Sequence, residues 1–520
     1  MSAPHRYDCI VIGGGHNGLV CAAYLARAGR SVLLLEAAPQ VGGAALTREF
    51  APGFRVSACA HLLHLMPETL IRELALERHG LSMAAEHLPT TALSPEGAPL
   101  RLDPRNPAAL AAHSPADARA YARLDARLNR MARALKAVLE RVPPRLGAGS
   151  MSDRLAWLSL GWRLRSLGRA DLRELLRIGA LCVQDLLDEQ FETPLLKGAL
   201  AFDAVLGTNA GPRSPGSVFT LLYRMAAAGE RALAQPRGGL GALTGALARS
   251  AIAAGAVIRT SAAVERILVE ADRACGVQLE SGETLTAGCV VSSADPKTTF
   301  LRLLGAEHLD TGFVRRIVHL RGQGLTAKLH LALDRPPAFR GVDAAALAGR
   351  LLLAPSLEYI ERAFNHSKYA EYSSSPILEI TVPTLADPAL ASQGSHVLSA
   401  VVQYVPYKLA AGWAGERERL IERVVAMLDE CAPGLASSVR ASELLTPADI
   451  EREFRLSGGH WHHAELSLDQ FFLVRPVPGF AQYRSPLERL YLCGAGCHPG
   501  GGVMGIAGRN AAQQVMREAA

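Results

Sequence analysis

Hydrophobic and polar positions near the N-terminus predict a strand, a turn, a helix and a second strand between Asp8 and Glu36. Cys9 to Ile12 are a short apolar run of the kind that a fully buried parallel strand needs. After the turn, we expect a helix from about Asn17 to Ala28, and Ser31 to Leu35 give the second strand. This order and spacing are typical of a parallel βαβ unit.

From about Leu70 to Phe191 the pattern becomes helical, with much Ala, Leu and Arg. In one segment the apolar positions recur at intervals of three and four, at Leu124, Leu128, Met131, Leu135 and Val138. A second helical block, Leu155 to Leu187, carries Trp157 and Trp162 near several arginines. We interpret the region as a helical cap with a solvated arginine face. The alternative is a cap that touches a lipid surface, because basic amphipathic helices with tryptophan favour interfaces.

Strand patterns return in the second half of the chain. Three short strands that we expect to extend the first sheet lie at Ala263 to Val269, Cys275 to Leu279 and Leu285 to Ser292. Strand patterns of a second, substrate-side sheet lie at Gly324 to Leu333, Ile377 to Val382 and His396 to Val405. An amphipathic helix is predicted from Glu416 to Cys431, and a last strand from Leu490 to Cys493. The chain is therefore predicted to be an α/β protein with two sheets.

The turn after the first strand carries the clearest chemical signal. Gly13, Gly15 and Gly18 fit G-x-G-x-x-G, in which the glycines allow a tight turn, close approach of a pyrophosphate and close packing of the helix. The helix N-terminus then faces the anion. Glu36 ends the second strand where an acidic side chain can accept hydrogen bonds from a ribose. Together they predict a dinucleotide site.

Composition narrows the class of protein. The 520 residues are too many for one core, and 55 Lys+Arg against 49 Asp+Glu give a formal charge of +6, too mild over this length to imply nucleic acid. None of the nine cysteines forms C-x-x-C. Seven residues precede Asp8 and no apolar run approaches the length of a spanning helix. We therefore expect a cytoplasmic protein, and peripheral membrane contact stays open.

Two groups of histidines are candidate catalytic side chains. His61 and His64 follow the first unit, and His460, His462 and His463 cluster in the C-terminal part. Each is a candidate base near neutral pH. We expect no metal site, because adjacent histidines in a strand point to opposite faces.

Four segments resemble one family. They are Ile10 to Gly18 with Glu36, the Gly42-Gly43 pair, the turn at Pro236 to Gly241 with its following strands, and the terminal LYLCGAGCHPGGGVMG. Together they are similar to the phytoene-desaturase-like flavoproteins of the wider amine-oxidase class, in the branch named after pyridine nucleotide-disulphide oxidoreductase domain 2. The resemblance covers essentially the whole chain and implies FAD as the cofactor.

The resemblance also implies which residues hold FAD. Gly13, Gly15 and Gly18 would bind the pyrophosphate, Glu36 the ribose, Gly42 and Gly43 the same half of the cofactor, Val264 the adenine, and Gly494, Ala495, Gly496, Gly502, Val503 and Met504 the ribityl chain and flavin. Many members place arginine directly after the paired glycines, whereas this chain has Ala44 and Ala45. Arg48 is the expected substitute.

The implied architecture is a Rossmann-like FAD-binding domain of discontinuous segments, with a mixed-sheet substrate domain and a helical cap. We assign residues 1–70, 216–300 and 456–520 to the FAD-binding domain, 71–215 to the cap and 301–455 to the substrate sheet. A homo-oligomer is a possible assembly, and the sequence does not decide between it and a monomer.

The expected activity is removal of hydride from a C–H bond of a largely apolar small molecule, of carotenoid or isoprenoid type, with the electrons passed to oxygen, a quinone or another acceptor. Amine oxidation and redox-neutral isomerisation use the same kind of pocket and are the alternatives. A non-catalytic FAD protein that binds a partner or lipid is the third. Disulfide reduction is not supported, because we find neither a second nucleotide fold nor a closely spaced redox cysteine pair.

Overall fold

A computed structural model describes residues 6–518 except 104–107, 146, 148–149 and 229–232. Its strands are β1 Tyr7–Ile12, β2 Val32–Leu35, β3 Thr47–Ala51, β4 Phe54–Ser57, β5 Met83–Ala85, β6 Thr90–Ala92, β7 Leu100–Leu102, β8 Gln235–Pro236, β9 Val257–Arg259, β10 Val264–Glu270, β11 Arg273–Leu279, β12 Thr284–Ser292, β13 Thr326–Leu333, β14 Arg350–Leu353, β15 Ile377–Thr381, β16 His396–Gln403, β17 Val439–Leu445 and β18 Leu490–Leu492.

The helices complete the element order. They are α1 His16–Arg27, α2 Glu68–Glu73, α3 Ala108–His113, α4 Pro115–Leu139, α5 Met151–Ser166, α6 Gly168–Ile178, α7 Val183–Asp188, α8 Pro194–Val205, α9 Ser217–Ala227, α10 Leu240–Ala253, α11 Thr311–Val318, α12 Ala344–Leu347, α13 Leu357–Ser367, α14 Glu416–Cys431, α15 Leu435–Ser438, α16 Pro447–Phe454 and α17 Ile506–Glu518. No helix in the described ranges is both long and apolar enough to cross a membrane.

The first sheet is built on β1, whose last four residues are buried because strands and helices cover it on every side. β1 pairs in parallel with β2 and β12, β2 pairs with β9, and the late strand β18 pairs with the end of β12. β10 and β11 extend β12 as an antiparallel meander. α1 packs against α10 and α17, so segments from both ends and the middle of the chain form one layer.

The second sheet has the order β17-β13-β16-β15-β14-β6-β7. All eight residues of β13 are buried, because β16 and β17 pair on its two edges and both faces are covered. One face carries the cap, where Leu124, Leu128 and Met131 of α4 share an apolar core with Ile377 and Val401 of the sheet. The predicted amphipathic face of α4 is therefore its buried face.

The prediction of helix from about Leu70 to Phe191 is wrong between residues 83 and 102. Three short strands lie there: β6 and β7 extend the second sheet, and β5 pairs with β8. Each has only three residues, which is too short for a periodic signal in the sequence, and β5 and β6 pair with strands more than 100 positions away. The other predicted strands and the Glu416–Cys431 helix are confirmed within a few residues.

Candidate functional site

A long cleft of about 450 Å³ opens where β1 and β2 end. Its walls include Gly13, Gly15, Glu36 and Val264, together with Ala495 from the segment after β18. A ligand at the carboxyl ends of parallel strands occupies the usual crevice of an open α/β sheet. With Gly42 and Gly43, seven of the predicted cofactor-binding residues therefore line one cleft.

The glycine turn has the shape that a bound phosphate needs. A Cβ on Gly18 would lie 2.0 Å from the carbonyl oxygen of Gly13, so only glycine lets α1 approach the strand this closely. A Cβ on Gly15 would meet no atom of the chain within 4 Å, so this glycine faces open space in the cleft. The first turn of α1 follows directly, and its backbone N–H groups have no partner within the helix. The turn therefore offers hydrogen-bond donors to an anion.

The Gly42-Gly43 pair returns beside this turn, as predicted. Gly42 N–H donates to the Gly14 carbonyl oxygen at 2.9 Å, and Gly42 has φ +136°, in the region that favours glycine. Glu36 lies between the two turns, where its carboxylate accepts from Gly14 N–H at 2.6 Å and from Ala38 N–H at 2.8 Å. These bonds hold the carboxylate at the cleft wall, where it can accept from a ribose.

Two ring nitrogens in the cleft wall have no protein partner. His16 Nε2 and His463 Nδ1 are buried and make no hydrogen bond within the described ranges, and both side chains line the cleft. Burial lowers the pKa of each imidazole to about 4, so both are neutral. The cleft thus combines free polar atoms with an open glycine turn, and this fits a bound dinucleotide.

The other C-terminal residues of the prediction divide into two groups. Gly502 and Val503 line a second cavity, described below. Gly494, Gly496 and Met504 are packed inside the protein: a Cβ on Gly494 would lie 2.4 Å from the Ser293 carbonyl oxygen, and the Met504 side chain is fully buried. These three shape the loop after β18 and are absent from the lining of both cavities.

Arg48 is placed differently from the prediction. Its guanidinium pairs with Glu443 at 3.0 Å and with Glu453 at 2.7 Å, and its side chain does not line the cleft. The two carboxylates come from β17 and α16, which the sequence could not show to be neighbours of β3. Arg48 therefore links β3 to β17 and α16, and it is not in the lining of the cleft.

The second cavity, of about 150 Å³, adjoins the cleft, because His16, Ala44 and Trp461 line both. Most of its wall is apolar, with contributions from Ala45, Ala60, Leu62, Leu65, Leu206, Leu233 and Val401. Polar groups enter at a few places, through His61, His64, His462, Arg224 and Glu379. An apolar pocket with a few convergent polar groups is the usual form of a small-molecule site.

A chain of buried charged groups lies beside this cavity. Lys328 Nζ is hydrogen-bonded to His61 Nδ1, and His61 Nε2 lies 2.8 Å from Glu379 Oε1. Glu379 also binds Arg350, which forms a bidentate pair with Asp203 at 2.7 and 3.1 Å. An ionised carboxylate only accepts, so Glu379 fixes the proton of neutral His61 on Nε2, and Nδ1 accepts from Lys328.

Strand register explains why these groups meet. Lys328 on β13 and Glu379 on β15 both pair with Val401 on the intervening strand β16. Residues at one level of a sheet present their side chains on the same face, so the amine and the carboxylate lie two strands apart on one side. His61 reaches between them from the segment after β4.

Burial sets the protonation of this group. It lowers the pKa of Lys328 to about 7, and burial with the nearby Lys328 charge lowers the pKa of His61 to about 4. For Glu379, burial opposes ionisation, but the Arg350 charge and the His61 hydrogen bond outweigh it and hold the pKa well below its usual range. At neutral pH the carboxylate is ionised, His61 is neutral and the amine titrates.

Three of the five predicted histidines are thus not near-neutral bases. His61, His462 and His463 all have a pKa far below 6.5, chiefly because burial disfavours the imidazolium. The structure brings His61, His64 and His462 to the second cavity and His463 to the cleft, whereas His460 lies 3.5 Å from Glu465. Across the described ranges, no three His, Cys, Asp or Glu side chains could hold a metal ion.

Comparison with known proteins adds the family. A family model described as flavin containing amine oxidoreductase matches residues 18–516. The chain belongs to this family. The predicted FAD cofactor and oxidoreductase class are confirmed.

Individual relatives of this flavin oxidoreductase agree with the predicted branch. It is 38% identical over 545 residues to pyridine nucleotide-disulfide oxidoreductase domain-containing protein 2 of Mus musculus, covering 99% of this chain and 94% of that one. It is 28% identical to a phytoene desaturase (lycopene-forming) of Pseudescherichia vulneris, over 66% of this chain and 69% of that one. A solved putrescine oxidase variant matches 99% of both chains at 15% identity with a TM-score of 0.61, which confirms the fold.

The sequence analysis did not identify Lys328, Glu379, Arg350 and Arg224 as site residues. One signal was present: Lys328 interrupts TAKLHLAL, a strand pattern that is otherwise nearly apolar, and Glu379 interrupts ILEIT in the same way. Charged residues are almost never fully buried unless they are paired. A charge in each of two predicted buried strands therefore indicated a buried pair.

Proposed function

We propose that this flavin oxidoreductase removes a hydride from a C–H bond of a largely apolar small molecule, as a dehydrogenase or desaturase of carotenoid- or isoprenoid-like compounds. The observation that carries the proposal is the second cavity, whose wall is mostly hydrocarbon and which adjoins the FAD cleft at His16, Ala44 and Trp461. The relative named as a phytoene desaturase supports the same substrate class. Oxygen, a quinone or another acceptor would take the electrons.

FAD, when bound, supplies the hydride acceptor. The residues that fit the cofactor are the open glycine turn at Gly15, the carboxylate of Glu36 and the wall residues Val264 and Ala495. The chain itself provides orientation, exclusion of water and a place for the proton that leaves the neighbouring carbon.

Lys328, which lies behind His61 of the cavity wall, is the group we assign to that proton. Its amine has a pKa of about 7, so close to half of the molecules carry a neutral amine near pH 7. His61 accepts a hydrogen bond from the amine, and Glu379 orients His61 from the other side. Electrons leave the substrate as hydride, and the proton from the adjacent carbon goes to Lys328 Nζ, which leaves a carbon–carbon double bond.

The charges of the cavity favour this reading over amine oxidation. Glu379 is the carboxylate in the described wall, and it is already bound by His61 and Arg350. Arg224, which pairs with Asp203 at 3.1 Å, adds a guanidinium to the same wall. A cationic amine would meet a guanidinium and find no free carboxylate there. A neutral hydrocarbon has no such cost.

Anaerobic mixing tests the proposal. The purified holoprotein is mixed without oxygen with apolar terpenes and polyenes in one series and with primary and polyamines in another, and flavin absorbance is followed. We expect an apolar alkene to bleach the flavin and the amines to leave it oxidised. Photoreduction is the control that the flavin is reducible. Bleaching by amines alone would refute the proposed substrate class.

A further inference from the structure

One face of α5 exposes large apolar side chains. Met151, Leu155, Leu158 and Trp162 are 68%, 59%, 70% and 74% exposed. With 3.6 residues per turn, these positions fall within an arc of about 60° on the helix. We call these four side chains the α5 stripe. Single exposed apolar residues are ordinary on a protein surface, but four in register along one helix mark an interaction site.

Arginines border the α5 stripe. Arg154 and Arg165 lie beside it on the same helix, and Arg169 and Arg173 follow on α6; all four are exposed. None of them forms an ion pair with a described residue, in contrast to Arg177, which pairs with Glu174 at 2.7 Å. Leu176 of α6, 75% exposed, adds a further apolar side chain to this region.

We infer that the α5 stripe and its arginines dock the cap onto an anionic lipid surface, with α5 lying in the plane of the interface. Such an interface takes apolar side chains below the headgroups and attracts cations to the phosphates, and tryptophan prefers this boundary. The apolar stripe matches the region below the headgroups, and the unpaired arginines beside it match the phosphates. A second protein chain would match the apolar part, but it gives no reason for four uncompensated arginines around the stripe.

The position of α5 gives this docking a consequence. α5 and α6 pack on α4, and α4 packs on α9, which contributes Arg224 to the wall of the second cavity. A cap bound to the bilayer thus places this side of the cavity wall near the lipid in which an apolar molecule dissolves. The docking itself does not depend on the proposed function, because it needs only the exposed residues of α5 and α6.

Vesicle flotation of the full chain tests the inference. We expect the holoprotein to float with vesicles of phosphatidylcholine and phosphatidylglycerol, and to float much less with phosphatidylcholine alone. Raising the salt from about 0.1 M to about 1 M shortens the electrostatic screening length from about 10 Å to about 3 Å. The weaker attraction should reduce flotation with the anionic vesicles. Flotation that is absent with both compositions would overturn the inference.

Variants distinguish binding through the α5 stripe from nonspecific adsorption to vesicles. Leu158→Ser combined with Trp162→Ser should lower partitioning about tenfold or more, since burial of one such side chain changes an equilibrium by about that factor. The matched control is Tyr369→Ser, at an exposed aromatic residue outside the cap that is 75% exposed. Equal flotation of the double variant and the control would refute the assignment.

Two further measurements complete the test. Flavin absorbance and the thermal unfolding midpoint should be unchanged in the double variant, because the replaced side chains are on the surface. Light scattering of the wild type without lipid measures its molar mass and so distinguishes a lipid surface from a second copy of the chain as the partner of the α5 stripe. A dimer that the double variant abolishes, together with unchanged flotation, would identify a second copy of the chain as the partner and overturn the lipid assignment.

Discussion

Replacing Lys328 with methionine removes a charge that the fold buries completely, and the effect on stability should depend on pH. The pKa of Lys328 falls from 10.5 to about 7 in the folded protein, chiefly because burial disfavours the ammonium. The unfolded chain therefore binds more protons than the folded chain between these two values. Wild-type stability should rise with pH through this window and be lowest below pH 7.

The size of the effect follows from the shift. A fall of about 3.5 units, at 1.36 kcal/mol per unit, corresponds to about 5 kcal/mol of penalty when the amine is fully charged in the folded state. Between pH 7 and pH 9 about 2 kcal/mol of that penalty is relieved. Lys328→Met has no amine, so it should be more stable than the wild type at pH 7, and the difference should shrink by about 2 kcal/mol by pH 9.

Urea unfolding of the two proteins at a series of pH values measures this difference. Other titrating groups are common to both proteins and cancel. The matched control is Lys408→Met, at an exposed lysine, for which we expect no pH-dependent difference from the wild type. A Lys328→Met difference that stays constant from pH 7 to pH 9 would refute the assignment of a depressed pKa to Lys328.

Three further predictions concern the cofactor and the buried ion pairs. Gly15→Leu should lose most bound FAD while folding normally, because its Cβ meets no protein atom within 4 Å and its side chain extends into the cleft; Gly161→Leu, whose Cβ is equally free, should keep FAD, as flavin absorbance per protein will report. Arg350→Met should destabilise by about 3 to 5 kcal/mol because it removes the guanidinium that binds the buried Glu379 carboxylate, and adding Glu379→Gln should restore part of the loss, measured as a double-mutant cycle. Arg48→Ala should leave FAD affinity unchanged in a cofactor titration but lower the thermal midpoint; weaker FAD binding would restore Arg48 to the cofactor site.

The cofactor half of the site was predictable because its signal is local. The glycine turn, α1 and Glu36 lie within about 30 consecutive residues, and the close contact that requires a glycine at position 18 is made with Gly13 inside that unit. Because the contacting residues are close in sequence, the geometry of the turn requires glycines at fixed spacings. The Gly42-Gly43 return was predictable for the same reason.

The buried group of Lys328, His61 and Glu379 was not predictable in this way. Lys328, His61 and Glu379 come from three distant parts of the chain, and only the register of β13, β16 and β15 puts the amine and carboxylate on one face. The histidines were chosen for their solution pKa, but burial by residues far away in sequence removed that property from His61, His462 and His463. The same limit applies to Arg48, whose partners lie about 400 positions away.

The sequence by itself determined that this protein has a βαβ dinucleotide unit, an amphipathic cap and a second, buried sheet, because each depends on periodicity or spacing within a short segment. The tertiary structure decided which groups share an apolar cavity, which of them are charged, and which apolar face of the cap stays exposed. Burial and electrostatics depend on the three-dimensional neighbourhood of each group, and so the chemistry of the site became visible only in the fold.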